Sequence, residues 1–343
     1  CREVILLAGA RIAVVGATGA VGREMLKVLE EREFPVNSLV CLADPREAGT
    51  RLSFKGEQIV VEGAGPDKFK GVDIAFFAVG GEVSEELGPE AVRAGAVVID
   101  NSSAFRLKDD VPLVVPEVNP EDVKEHRGII ANPNCSTIIM VVAINPIHQA
   151  AGLKRVVVST YQAVSGAGKA GLEELEEQVR CYVEGRPLTS RVFQHQIAFN
   201  LIPHIDVWVE KDYSREEMKM VWETRKIMNL DNLPVSPTTV RVPVLRSHSE
   251  SVNLETERKI TASEARDVLS RAPGVVVIDN PHNNEYPMPW FTANRDEVFV
   301  GRIREDISIE QGINLWVVAD QIRKGAATNA VQIAEIVVRD RLF

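Results

Sequence analysis

Cys135 stands in the stretch IIANPNCSTI, residues 129–138, between an Asn-Pro-Asn turn and a Ser-Thr pair. A short apolar run precedes it and a long one follows. A thiol attacks carbon only as its thiolate. A helix N-terminus favours that anion, and Cys135 stands where a helix should begin. Pro133 fixes the turn, and Asn134 or Ser136 can donate hydrogen bonds to the sulfur. Most cysteines in apolar surroundings are structural, so a base elsewhere in the chain decides the reading. Six histidines are available: His126, His148, His195, His204, His248 and His282. His248, in RVPVLRSHSES, is a polar interruption of an apolar strand region, with Arg241 seven residues earlier. On a plain strand that odd spacing puts the two on opposite faces. A bend at Pro243 or within SHSE would change this.

A second chemical feature is the loop GATGAVG, residues 16–22, which follows a strand candidate and opens a helix candidate. That is the context of a dinucleotide fingerprint. Gly16 allows the tight turn, Gly19 lets the backbone approach a pyrophosphate, and Gly22 permits close helix–strand packing. Thr18, Ala20 and Val21 are the other loop residues expected at the cofactor, and the helix N-terminus receives the anion. The following strand ends in LADPREAG, where Asp44 and Glu47 flank Arg46. An acidic residue there suits the ribose hydroxyl of NAD and an arginine the extra phosphate of NADP, so the local signal is mixed.

The elements that must position these groups alternate. RIAVVG (11–16), SLVCLA (38–43), EQIVVEG (57–63), VDIAFFAVGG (72–81) and AVVIDNSS (96–103) read as strands. REMLKVLEEREF (23–34) and VSEELGPEAVRAGA (83–96) read as helices between them, which points to a parallel α/β sheet. After Cys135 the pattern changes. A helix broken near Pro146 is followed by a strand running into a glycine loop (155–166) and by a charged amphipathic helix, GLEELEEQVRCYVEG. Long strands over 238–257 and a hairpin over 297–320 come next, then a last helix, ATNAVQIAEIVVRDRL, expected to pack back on the first domain.

The 343 residues allow two domains, and the apolar and charged fractions of 45% and 26% are those of an ordinary globular protein. A net charge of −10 argues against nucleic acid as a partner, though not against small anions. Four widely spaced cysteines, Cys1, Cys41, Cys135 and Cys181, argue against a metal site or a disulfide framework. Reduced thiols suit a cytoplasmic protein. No apolar run approaches the roughly 20 residues that span a bilayer. The N-terminal apolar stretch is interrupted and runs into a strand, so it is not read as a signal peptide. The absence of an initiator Met suggests trimming or added residues.

In order along the chain, GATGAVG, NSSAFR, VVPEVN, NPNCST, TYQAVSGAG, FNLIPHID, REEMK, RVPV with SHSE, and KGAATNAVQIAE resemble the aspartate-β-semialdehyde dehydrogenase family, from about residue 11 to the end. N-acetyl-γ-glutamyl-phosphate reductase has a motif closer to NPGCY, and glyceraldehyde-3-phosphate dehydrogenase, similar in architecture, reads SCTT. The resemblance implies a Rossmann-type parallel-sheet α/β domain of residues 1–134 plus 322–343. It also implies an α+β catalytic and dimerisation domain of residues 135–321, as in glyceraldehyde-3-phosphate dehydrogenase, and a homodimer.

It further implies Cys135 as nucleophile, Gln162 as the residue orienting the thioester, and His248 as acid/base. Arg241 would bind the substrate α-carboxylate and Glu216 its amino group. Lys219, Arg106 and Asn134 would hold phosphate. These types fit an anionic acyl phosphate and a forked carboxylate contact. Glu216 and Lys219, three apart on a helix, can share a face. From the residues alone they read as a surface ion pair beside an SREE capping box, with Ser214 capping and Glu217 reaching back. Ser165, Gly166 and Gly168 would approach the nicotinamide side, with Gln321 a further cofactor contact. The implied reaction is reductive dephosphorylation of L-aspartyl 4-phosphate through a Cys135 thioester, in the biosynthesis of lysine, threonine and methionine. NADP is the expected cofactor and NAD the alternative, since NADP-using members commonly carry Ser where this chain has Asp44 and Glu47. Two other readings stand beside it: N-acetyl-γ-glutamyl-phosphate reductase, and a catalytically silent dinucleotide-binding protein.

Overall fold

A computed structural model describes residues 9–343; the readings of Cys1 and the N-terminal apolar stretch lie outside the described residues. The chain divides into two compact units, one running up to Pro133 and resuming at Ala326–Phe343, the other Asn134–Gly325.

The first unit contains β1 (Ala10–Val15), α1 (Ala20–Glu31), β2 (Val36–Ala43), β3 (Arg51–Phe54), β4 (Glu57–Val60) and β5 (Glu62–Gly63). It continues with β6 (Ile74–Phe77), α2 (Gly81–Arg93), β7 (Val97–Asp100) and β8 (Ile129–Ala131). One six-stranded sheet has the order β5-β2-β1-β6-β7-β8, with every pairing parallel. Such strands are covered on both faces and read as apolar runs. Ile12 and Val14 of β1 enter one core with Met25 and Leu29 of α1, while Ala13 and Val15 enter the other with Leu87 and Ala91 of α2.

The expected strand over 57–63 is corrected. Residues 57–60 leave the main sheet to pair antiparallel with β3, and only Glu62–Gly63 join it, beside β2. The hairpin turns at Lys55 and Gly56, both at positive φ (48° and 80°). That is the primed turn matching the twist of a two-stranded ribbon.

The second unit contains α3 (Cys135–Ala151), β9 (Leu153–Gln162), α4 (Gly168–Val183), α5 (Arg215–Met228), β10 (Val235–Arg241) and β11 (His248–Thr256). It ends with α6 (Ala262–Ser270), β12 (Val275–Val277), α7 (Pro289–Thr292), β13 (Val298–Glu305) and β14 (Gly312–Ala319). Its sheet is mixed, in the order β10-β9-β11-β14-β13-β12. Strand β10 lies parallel to β9, and β13–β14 is the expected antiparallel hairpin.

Helix α3 packs on β9, β11, β13 and β14 and against α5 and α6. It runs unbroken through Pro146, against the expected break. An interior proline costs a helix about 3 kcal/mol, but every residue of 136–145 is buried, so packing on all sides outweighs the lost hydrogen bond. The last helix, α8 (Thr328–Asp340), belongs to the first unit, where its Glu335 accepts two hydrogen bonds from Arg32 at 2.7 and 2.8 Å.

Candidate active site

Register assembles the second unit's polar residues. Arg241 of β10 stands beside Gln162 of β9. The β9–β11 pairing ends at Ser249 opposite Tyr161, so the next step sets His248 against Gln162. Arg241 and His248 therefore share a row on one sheet face. The odd spacing that separates them on one strand is absorbed by residues 242–247 between two strands, where Ser247 takes φ +74°. The row below is Thr239, Thr160 and Glu250.

Cys135 begins α3, with Asn134 as its N-cap. Its thiol is partly buried, and Sγ lies 3.9 Å from Asn134 Oδ1. Asn134 is thus the acceptor of that contact, not the expected donor. Its Nδ2 turns away to Glu216 Oε1 at 3.1 Å, and the N-cap makes no side-chain capping bond to its own helix. Ser136 Oγ has no hydrogen-bond partner. Gly325 presses on Cys135: a Cβ there would lie 2.8 Å from Cys135 Cβ and 3.3 Å from its Cα.

Glu216 is the hub. It is 5% exposed, so the surface ion pair read from its spacing is corrected. Oε1 accepts from Gln162 Nε2 at 3.1 Å as well as from Asn134, and Oε2 accepts from Lys219 Nζ at 3.1 Å. Burial pushes its carboxyl up, but the Lys219 cation and the hydrogen bonds from Gln162, Lys219 and Asn134 outweigh it and hold it below the usual range. Lys219 also pairs with Asp206 at 2.9 Å. The capping box is present as read, with Ser214 and Glu217 bonded reciprocally, and it starts α5 so that Glu216 and Lys219 face α3.

His248 is fully buried, and its Nδ1 accepts the backbone N–H of Ala163 at 3.0 Å. In the neutral ring that places the proton on Nε2, which has no hydrogen-bond partner among the described residues. Burial and the nearby Arg241 cation hold the imidazole well below its ordinary pKa. The neutral ring so favoured offers Nε2–H as a donor. Arg241 is anchored by Nη1 to Ala163 O at 2.7 Å and stacks over Phe193 at 5.9 Å. Burial lowers its pKa, opposed by the charges of Glu216 and Cys135. Gly166 touches both: a Cβ there would lie 2.7 Å from Arg241 Nη1 and 3.3 Å from His248 Nε2. This glycine, expected at the cofactor, lies against Arg241 and His248. Ser165 and Gln321 are buried and bond each other, and Gln321 Oε1 accepts from Ser247 N at 2.9 Å. Of the remaining histidines, His126 bonds Leu342 O, His148 accepts from Leu153 N, and His204 stacks on Trp208.

The first unit holds the glycine loop at the C-terminal end of β1, where the chain turns from β2 on one side of β1 to β6 on the other. Gly16 has φ +82°, and a Cβ on it would strike Ala78 O at 2.3 Å. A Cβ on Gly22 would strike Gly16 O at 2.2 Å. Gly19 caps α1 with no side-chain capping bond, which leaves the helix N-terminus for an anion. The loop therefore fits a dinucleotide pyrophosphate. Beside it Thr18 donates to Glu47 at 2.7 Å, and Asp44 accepts from Arg46 Nε and Nη2 at 2.9 and 2.7 Å. The Arg46 guanidinium and its backbone N–H hold the Asp44 carboxyl far below the usual carboxylate range. Arg106 also belongs to this unit, buried, donating to Asn132 O at 3.0 Å and Asn101 O at 2.8 Å.

Sequence reasoning missed Asp206, the Ala163 backbone, Gly325 and Glu223, whose Oε2 accepts Asn134 N–H at 2.6 Å. Glu223 carried a readable signal, being two helical turns from Glu216 on the same face.

Residues 11–126 match the semialdehyde dehydrogenase NAD binding domain family, and residues 144–324 the semialdehyde dehydrogenase dimerisation domain family. Aspartate-semialdehyde dehydrogenase of Aquifex aeolicus (strain VF5) is 60% identical over 339 residues, 98% of this chain and 100% of that one. The enzyme of that name from Bacillus subtilis (strain 168) is 50% identical over 335 residues, 95% of this chain and 97% of that one. The crystal structure of aspartate semialdehyde dehydrogenase II from Vibrio cholerae superposes with a TM-score of 0.95 at 51% identity, covering 97% of this chain and 99% of that one. A partly buried thiol at a helix start, a row of Arg, Gln and His on the sheet of the same unit, and a dinucleotide loop agree with these likenesses, and the chain belongs to the aspartate-semialdehyde dehydrogenase family.

Proposed function

We propose that Cys135 carries the acyl group in the reversible reductive dephosphorylation of L-aspartyl 4-phosphate to L-aspartate 4-semialdehyde. The observation that supports this most is the set Asn134, Gln162 and Lys219 converging on Glu216 next to the N-terminus of α3. The Cys135 thiolate attacks the β-carbonyl carbon. The tetrahedral oxyanion collapses, the C–O bond to phosphate breaks, and a thioester remains. A nicotinamide dinucleotide held by the loop of residues 16–22 would supply the hydride that reduces the thioester, and would accept it in the reverse direction. The resulting oxyanion re-forms a carbonyl as the C–S bond breaks, releasing the aldehyde and the thiolate.

His248 donates a hydrogen bond from Nε2 to each oxyanion. The departing phosphate takes up one proton and leaves as the hydrogen phosphate ion; that proton comes from solvent, and His248, whose pKa burial holds well below the ordinary value, gives its Nε2–H only as a hydrogen bond. Gln162 holds the acyl oxygen, Arg241 the α-carboxylate and Glu216 the ammonium group. Lys219 and Asn134 serve phosphate, and Arg106 is assigned to the same anion by family resemblance. Gly166 leaves room for substrate at Arg241 and His248.

Gly16, Thr18, Gly19, Ala20, Val21 and Gly22 would hold the dinucleotide, with Arg46 and Glu47 at its ribose and Ser165 and Gln321 at its nicotinamide. NADP is the proposed cofactor, because Asp44 neutralises itself on Arg46 and leaves that guanidinium beside the loop. NAD is favoured by one observation, the carboxylates of Asp44 and Glu47 at the end of β2. The pairing of two chains through the second unit is proposed from its family match and from exposed Tyr182, Phe199, Leu201 and Trp208. The direct assay is reduction of NADP or NAD by aspartate semialdehyde. Turnover should require phosphate and should vanish in Cys135→Ala, by on the order of 10^4-fold or more. Phosphate-independent turnover would defeat the reading.

A further inference from the structure

Helix α5 carries a second buried carboxylate two turns beyond Glu216. Glu223 is 1% exposed, and its Oε2 accepts the backbone N–H of Asn134 at 2.6 Å. Asn134 is thus gripped twice by α5: its amide by Glu223 and its side chain by Glu216. Helices α5 and α6 satisfy the same N-cap amide from within, through Glu217 and Glu264 at their third positions. In α3 that position is Thr137, whose Oγ1 has no hydrogen-bond partner. A carboxylate from a neighbouring helix therefore fills the capping-box role.

We propose that Glu223 is a positioning residue for the reaction: it fixes the N-terminus of α3, and with it Cys135, from α5. This rests on Cys135 being the nucleophile. The arrangement has an electrostatic consequence. The carboxylate shares the positive end of α3 with the thiolate, so it fixes the sulfur in place while opposing its ionisation. The other charged or titratable groups around this end are Glu216 and Lys219 on α5, Arg241 at the end of β10, His248 on β11 and Lys324 beside Gly325.

Glu223→Gln keeps an acceptor for the amide and removes the charge; Glu223→Ala removes both. Two readouts are needed: steady-state kcat and KM, and the pH dependence of Cys135 alkylation by iodoacetamide, followed on the Cys135 peptide by mass spectrometry. Glu223→Gln should keep kcat within about threefold while its alkylation midpoint falls by about one pH unit. Glu223→Ala should show the same fall in midpoint and lose kcat about 100-fold with little change in KM. An unchanged midpoint in Glu223→Gln would overturn the proposal, as would full kcat in a folded Glu223→Ala. Should Glu223→Ala not fold, the midpoint in Glu223→Gln still decides. Turnover retained in Cys135→Ala would instead overturn the nucleophile reading on which this rests.

Discussion

At the scale of single residues, the site depends on two glycines that give side chains their places. Gly325 shows the effect most directly, because the atoms it would strike are the Cα and Cβ of Cys135. Neither can rotate away, so a methyl group there must move the start of α3. Misplacing a reacting atom by about 1 Å costs on the order of 100-fold in rate. Gly325→Ala should lower kcat by about that factor while leaving dinucleotide affinity unchanged, as equilibrium cofactor titration would check. An unaltered kcat would mean that the helix absorbs the methyl without moving the sulfur. This residue was not legible in the sequence: KGAATNAVQIAE marks a glycine before a helix, but nothing local says that Cys135 lies against it. The motifs around Cys135, Gln162 and His248 were legible because each interrupts an apolar run with polar residues.

At the scale of elements, strand register does what spacing on one strand could not. Arg241 and His248 share a face because the chain changes strands between them, and Glu250 shares it because it lies two residues beyond His248 on β11. Glu250 is fully buried, and neither carboxyl oxygen has a hydrogen-bond partner among the described residues. Burial raises its pKa well above the ordinary value. A group whose pKa is raised on folding favours the fold below its unfolded pKa, and that contribution is lost as pH rises through the folded pKa. Glu250→Gln removes the penalty, so it should raise Tm at pH 8 relative to wild type and do so much less at pH 4. Equal shifts at both pH values would place an ionised carboxylate there. Element boundaries were legible where apolar runs were long, as in β1, β6 and α8. They failed at 57–63, where pairing direction changes within seven residues, and at Pro146, where burial on all sides overrides a local helix breaker. The burial of Glu216 was hidden for a related reason, since only the packing of α5 on α3 turns a solvent-type pair inward.

At the scale of the whole molecule, the two units divide the chemistry, a dinucleotide loop in one and the thiol with its row of polar residues in the other. The change of pattern after Cys135 and the return of the last helix put the boundaries at 134/135 and 321/322, where the compact units divide at 133/134 and 325/326. Cofactor choice belongs to the first unit. The Asp44–Arg46 pair implies that Asp44→Ser frees the guanidinium and raises the ratio of kcat/KM for NADP over NAD about tenfold. A falling ratio would mean that Asp44 orients Arg46 for the phosphate. The central claim, an acyl group on Cys135, is tested most directly by mixing the protein with L-aspartyl 4-phosphate without cofactor and mapping the adduct by mass spectrometry. One aspartyl thioester should form, on Cys135, as phosphate is released, and should discharge to aldehyde when reduced cofactor is added. Phosphate release with no adduct on Cys135, or an adduct that persists in Cys135→Ala, would contradict it.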